Sequence, residues 1–399
     1  MSPGVLFIFD GYPHLSGRFL VRDLDAVARA GLPVHAVTTM LLPRARWFRE
    51  AADCPVEPRL MPRLRTLAAE ARLLWAAPRT AWAAGRAFAA GLDWRNAHKL
   101  AQLLRVFWLA REARRLGVGV LHATHAALPA MLAQAASRVS GLPYTVGAHL
   151  DDVAQPSRGL EARLAGAATV FGCNPTAVAA ARGRGARDVV EFRHPLPASW
   201  LDWPDAGRRA ARPRSGPIRL LFAGRLVPVK GFDTLLAALA RAVGNGADVV
   251  LEVAGGGEEE ALVDRLPAEV RRRVILHGWV MDAAHDRLLD SADVLVLPSR
   301  AEGIPNTILE AFAAGLPVIA TPSGSTGEAL GGGERGFVLR GDVEAERVDA
   351  LADLLERFDP RAEAVVARAR AAQSWVRAHF SGAAPIAPMV ERFRALAGD

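Results

Sequence analysis

The sequence predicts an α/β protein of two doubly wound domains, and three observations carry that reading. The chain has 399 residues, more than one ordinary hydrophobic core requires. Short apolar runs rich in β-formers alternate with Ala/Leu-rich helical stretches through both halves. A single Pro/Arg/Gly-rich segment of weak periodicity separates the halves.

The runs come in order. VLFIF, PVHAVTT, VGVLHA, PYTVGA and TVFGC occupy the first half; IRLLFAG, DVVLEVAG, RVILHGWV, DVLVLPS, PVIAT and GFVL occupy the second. None alternates apolar with polar, so each reads as a strand buried on both faces, which implies parallel sheets with crossover helices. Between the halves, ASWLDWPDAGRRAARPRSGPIRL reads as a connector, with the boundary near residues 200–217. Open sheets of this kind bind ligands at the carboxyl ends of their strands, so a cleft between the domains is the expected site.

Composition narrows the function classes. Hydrophobic residues make up 51% and charged residues 23%, which excludes a disordered chain. Net charge is +7, favouring anionic partners: nucleotides, acidic glycans or an anionic membrane surface. Arginine and alanine usage also fits a GC-rich coding bias. Cys54 and Cys173 stand far apart, so neither a disulfide framework nor a cysteine-based zinc site is expected, and a reducing cytoplasm is. The opening MSPGVLFIFDGYPHLSG reads as a first strand rather than a signal peptide. No apolar run is long enough to span a bilayer. Trp75, Trp82, Trp94, Phe107 and Trp108, set among Arg and Ala between residues 64 and 115, read either as helix packing or as a membrane-surface helix.

The stretch AGRLVPVKGFDTLL, residues 223–236, holds Lys230, one of only two lysines among 49 basic residues. It joins a strand to a helix. Backbone amides and the dipole at a helix start favour an anion there. Arg225 offers a planar fork to phosphate oxygens, and Lys230 a compact charge on a flexible stem. Further on, Glu302 falls in the turn after DVLVLPS, and a helix starting near Asn306 or Thr307 carries Glu310 in its first turn. Glu310 could accept both hydroxyls of a ribose diol, and Glu302 the hydroxyls of a sugar. Thr307 to Glu310 equally spells a capping box that needs no ligand.

Gly224-Arg225 to Lys230-Gly231, then Glu302 and Glu310 as an E-x7-E segment followed by GLPVIAT, closely resemble the retaining glycosyltransferases of family 4 over about residues 218–345. The resemblance implies the GT-B architecture, two Rossmann-like domains: 1–205 on the acceptor side, 206–380 on the nucleotide-sugar side, and a helix in 381–399 that packs back on the first domain. It implies that Arg225 and Lys230 bind the donor diphosphate, Glu310 the ribose and Glu302 the transferred sugar, with Gly17, Asn306 and Thr307 as further donor contacts. In the first half, Tyr12, Pro13, Leu15, Ser16 and Phe19 resemble the FP-x-LSETF loop of transferases that build exopolysaccharides, such as colanic-acid-type enzymes; Gly17 and Arg18 depart from it. His122, His125, His149, Asp151 and Asp152 resemble that group's HAHFA and TAH-x-x-D segments, and His149 takes the place of a histidine beside the sugar. Gly324 to Glu328, and FRHPLP before the linker, also depart from the pattern.

The resemblance therefore implies a cytoplasmic hexosyltransferase that moves a sugar from a UDP- or GDP-sugar to a saccharide or lipid-linked glycan. Retention in that family proceeds by front-face attack, the leaving diphosphate helping to take the acceptor proton. His149, Glu302, Lys230 and Arg225 are the expected catalytic residues, with no metal, no cofactor beyond the donor substrate, no nucleic-acid partner, and an anionic membrane surface as a further partner. The competing readings are a non-catalytic nucleotide-sugar-binding subunit and a GT-B epimerase or hydrolase. A dinucleotide dehydrogenase is disfavoured, because AGGGEEE lacks the ribose-reading acid that should follow it.

Overall fold

The computed structural model describes residues 3–13, 17–62, 78–90, 102–154, 157–212 and 215–398. The chain divides into two compact units, Met1–Pro195 with Gly382–Asp399, and Leu196–Ser381.

In the first unit the strands are β1 (Gly4–Tyr12), β2 (Val34–Leu41), β3 (Arg59–Leu60), β4 (Val118–Ala123), β5 (Tyr144–Ala148), β6 (Thr169–Gly172) and β7 (Val189–Glu191). They form one parallel sheet in the order β3-β2-β1-β4-β5-β6-β7. Val5, Leu6, Phe7, Ile8 and Phe9 are all buried, consecutive residues pointing to opposite faces. That is why β1 shows no alternation. The C-terminal helix Ala387–Ala397 covers β1, β4 and β7. Its Phe393 meets Phe7, His122 and Phe171 edge-on, with ring centroids 5.9, 5.3 and 5.3 Å away. His122 sits in this aromatic wall with Nδ1 2.9 Å from Thr145 Oγ1, and burial drives its pKa down to about 3.

The second unit holds β8 (Ile218–Ala223), β9 (Val249–Ala254), β10 (Val274–Gly278), β11 (Val294–Leu297), β12 (Val318–Ala320) and β13 (Phe337–Val338). These too form a parallel sheet, in the order β10-β9-β8-β11-β12-β13. The strand order reverses between β8 and β11, so the loops leaving these strands meet at a topological switch point.

This unit starts earlier than the 205/206 boundary read from the sequence. Leu196 and Trp200 are buried in its core, and the Leu196 N–H donates to Phe380 O. The expected connector is itself anchored: Arg209 donates to the carbonyls of Leu289 (2.8 Å), Ala292 (2.9 Å) and Ala314 (3.2 Å), satisfying acceptors that helix ends leave open.

Among the described residues no helix is long and apolar enough to cross a membrane. The tryptophans of the 64–115 segment divide: Trp108 is buried and Trp82 exposed, while Trp75 and Trp94 lie outside the described residues.

Candidate functional site

The loop leaving β8 is shaped by a tight turn. Pro228–Lys230 form one 3-10 turn, and Gly231 follows with φ +67° before the helix Phe232–Gly244. A Cβ at Gly231 would stand 2.1 Å from Pro298 O, so only glycine lets this backbone rest on the end of β11. Arg300 fixes the same contact from the β11 side. Its N–H donates to Val229 O at 2.8 Å, and its guanidinium grips both Asp233 oxygens at 2.9 and 2.8 Å. Gly255, after β9, lies against the start of the same loop, where a Cβ would collide with Gly224 O.

This packing brings together two residues that are far apart in sequence. Lys230 Nζ donates to Glu302 Oε1, and the two side chains are only 17% and 12% exposed. Arg225 lies exposed on the same loop. An anionic ligand beside Lys230 would face a cation held by a carboxylate that can also accept hydroxyls.

Glu310 departs from its expected setting. The helix is Asn306–Ala313 with Pro305 at the N-cap position and no side-chain cap, so Thr307 lies inside it and the capping box does not form. Glu310 falls beyond the first turn and is buried. Its Oε2 lies 3.0 Å from His285 Nε2, and the His285 ring stacks on buried Trp200 with centroids 6.3 Å apart. His285, on the helix Asp282–Ser291, was missed by the sequence reading. Asn306 and Thr307 open the Glu310 helix and are half-buried. The Gly324–Glu328 segment reaches the Glu302 loop through Thr326 Oγ1, which donates to Gly303 O at 3.1 Å.

Gly17 and His149 belong to the first unit. Gly17 precedes the helix Arg18–Arg29 with φ −110°, a conformation open to any residue. Arg18 next to it pairs with both oxygens of Glu50, at 2.7 and 2.6 Å, and lies over Phe48. His14, Leu15 and Ser16 lie outside the described residues.

His149 follows β5 directly and His125 follows β4. Their Nδ1 atoms lie 3.2 and 2.9 Å from the same Asp152 oxygen, Oδ2. Burial lowers the His149 pKa to about 4 against the opposing pull of Asp152. His125 goes the other way: burial opposes its charge, but Asp152 outweighs burial and raises it. Burial would likewise raise Asp152, and the two imidazoles overcome it and hold the carboxyl well below the usual range. Beside them, His194 Nδ1 lies 2.9 and 2.8 Å from the two oxygens of Asp23. Its ring lies alongside that of His149, with centroids 5.4 Å apart. Phe19 packs on both rings, at 4.8 and 4.5 Å. Burial, reinforced by Asp23, pushes the nearby Cys173 thiol up to about 12. Neither His194, Asp23 nor Cys173 was singled out as a site residue from the sequence.

Solved structures similar to the whole chain include the Anabaena HepE protein in complex with UDP and glucose (TM-score 0.69, 16% identity, covering 98% of this chain and 100% of that one). Another is the sucrose-phosphate synthase of Thermosynechococcus elongatus (TM-score 0.72, 18% identity, 99% of each chain). At such identities the likeness shows the fold, which is GT-B with two Rossmann-like parallel-sheet domains.

Among curated relatives, a glycogen synthase of Mycobacterium tuberculosis is 34% identical over 203 residues, 50% of this chain and 46% of that protein. A GDP-mannose-dependent alpha-(1-6)-phosphatidylinositol monomannoside mannosyltransferase of the same organism is 33% identical over 205 residues, 48% of this chain and 50% of that protein. The chain thus spans about half the length of the curated relatives it matches. Residues 217–357, which hold Arg225, Lys230, Glu302 and Glu310, match the family model of the glycosyl transferases, group 1.

Proposed function

We propose that this chain is a retaining glycosyltransferase of the group 1 type, which transfers a hexose from a UDP- or GDP-sugar to a saccharide or lipid-linked glycan in polysaccharide assembly. The observation that carries the reading is the Lys230–Glu302 pair, which joins the two motif segments at the β8/β11 switch point inside the family-matched region.

In this mechanism Arg225 and Lys230 hold the donor diphosphate. Lys230 stabilises the charge that builds as the bond from the sugar's anomeric carbon to the diphosphate breaks, an effect that is largest where water is excluded. The acceptor oxygen bonds to the same face of that carbon, and its proton passes to a leaving phosphate oxygen. Glu302 accepts hydroxyls of the transferred sugar, and Glu310, held by His285, accepts the ribose diol. Asn306 and Thr307 add donor contacts. The positive charge at the diphosphate is the protein's own, so the transfer runs without a divalent ion there. The exposed Trp82, with Arg79 and Arg86 on the helix Pro78–Ala89, supports peripheral attachment to the cytoplasmic face of an anionic membrane.

Calorimetric titration with UDP, GDP and ADP tests the reading, run on the wild type, Lys230→Met and Glu310→Ala. One nucleotide should bind, and each substitution should weaken it by ~10-fold or more, about 1.4 kcal/mol. No binding of any nucleotide by folded protein would overturn the reading.

A further inference from the structure

The first unit contains a histidine–cysteine cluster that donor binding does not explain. A ring nitrogen of His149, a ring nitrogen of His194 and the Cys173 sulfur all lie within 4.8 Å of one another. Each imidazole already has one nitrogen engaged: Nδ1 of His149 on Asp152 and Nδ1 of His194 on Asp23. A carboxylate on Nδ1 holds the proton there and leaves Nε2 with its lone pair. Both Nε2 atoms are buried and have no hydrogen-bond partner among the described residues, a costly arrangement for two acceptors in a protein interior. Phe19 packs against both rings and restricts their movement.

Imidazoles backed by carboxylates, with the opposite nitrogen unused, are what a ligated transition metal requires. Two neutral imidazoles and one thiolate form a borderline-soft set that suits zinc in tetrahedral geometry, with a fourth position left for water or an oxygen ligand. Ligand atoms around such an ion stand roughly 3.3–3.8 Å apart. The present spacing, within 4.8 Å, exceeds the top of this range by about 1 Å at most.

We propose that His149, Cys173 and His194 form a binding site for a divalent transition-metal ion of the zinc class, with Asp152 and Asp23 as its orienting carboxylates. Binding displaces the Cys173 thiol proton to solvent, one proton per ion. The inference goes beyond the proposed transfer reaction. It also constrains it, because a metal on His149 Nε2 removes that nitrogen from contact with a sugar hydroxyl.

The test uses the full chain without a histidine tag, titrated with Co2+ as a spectroscopic probe and then with Zn2+ against a competing chelator, in the absence of nucleotide. One equivalent of Co2+ should bind with a thiolate-to-cobalt charge-transfer band, and Zn2+ should displace it. Cys173→Ser should abolish the band, His194→Gln should weaken binding by at least ~100-fold, and Asp23→Asn should weaken it by about 10-fold. Cys54→Ser should change nothing. Thermal unfolding identifies any variant that fails to fold, and protection of Cys173 from alkylation by Zn2+ in the wild type gives a readout that needs no variant. Absence of binding and of protection in the wild type, or binding that survives both Cys173→Ser and His194→Gln, would overturn the site. Nucleotide titrations run with chelator present keep this outcome separate from that of the proposed function.

Discussion

The two units place different chemistry at the ends of similar sheets. In the second, an ammonium is paired with a carboxylate on loops that leave adjacent strands, Lys230 with Glu302. In the first, imidazoles are paired with carboxylates, His125 and His149 with Asp152 and His194 with Asp23. Burial keeps the His149 imidazole neutral with a lone pair, whereas Asp152 raises the pKa of His125 beside it. The second unit thus presents a cation–carboxylate pair, and the first a buried neutral imidazole beside a second one on the same carboxylate. The same fold supports both, because the loops determine the chemistry and the sheets only position them.

The substitution expected to break this contrast most strongly is Lys230→Met. It removes the cation held by Glu302 while keeping much of the side chain's bulk, and transfer should fall about 10²–10³-fold, the range for loss of one preorganised charge-stabilising group. Product release from a donor sugar, followed by chromatography, reads the loss, and a change of less than threefold would place the leaving-group charge elsewhere. Next comes Gly231→Ala, which forces a side chain into a left-handed turn and against Pro298 O. About 2–3 kcal/mol of stability should go, seen as a lower denaturant midpoint, and Lys230 should lose its place beside Glu302.

The first unit is better probed by pH. Burial depresses the His122 pKa to about 3, so the unfolded chain takes up a proton near pH 6.5 that the folded chain refuses. Stability from this group is complete above pH 6.5 and is lost as pH falls below it. Between pH 7 and pH 5 the loss should be about 2 kcal/mol. Denaturant titrations at both pH values should show His122→Gln with a shallower dependence than the wild type, and equal slopes would exclude His122 as the source. The smallest effect is expected from His285→Ala. Removing the imidazole beside Glu310 Oε2 loosens one constraint on that carboxylate, and nucleotide affinity should drop roughly 3- to 10-fold, about 0.7–1.4 kcal/mol. Calorimetry reads it, and an unchanged affinity would leave His285 a packing residue under Trp200.

What the sequence revealed follows from how locally each feature is encoded. The eleven apolar runs are strands because each run carries its own pattern, but in β3 and β7, at the sheet edges, the exposed charged residues Arg59 and Glu191 interrupt one. Lys230, Glu302 and Glu310 were legible because their spacing lies within two continuous loop-and-helix segments. His285 was not, since a lone histidine on a helix gives no sign of the carboxylate it will meet. The cluster around Cys173 draws on residues 19, 23, 149, 152, 173 and 194, and only the fold assembles them. FRHPLP was noticed as a departure at the linker, yet nothing local in it says that His194 will turn to Asp23.

Gene order and spatial unit do not coincide here. Leu196–Ser381 is one continuous stretch, while the first unit is split in two by it. The second unit thus has the connectivity of an insertion: a fragment covering it alone would carry its whole sheet and the Lys230–Glu302 pair. No single cut yields the other unit intact. A fragment ending at residue 195 would lack Phe393 and expose the aromatic wall of Phe7, His122 and Phe171 to water, whereas joining residue 195 to residue 382 through a short linker would restore it. During synthesis, then, the first sheet stays uncapped until the helix Ala387–Ala397 has left the ribosome.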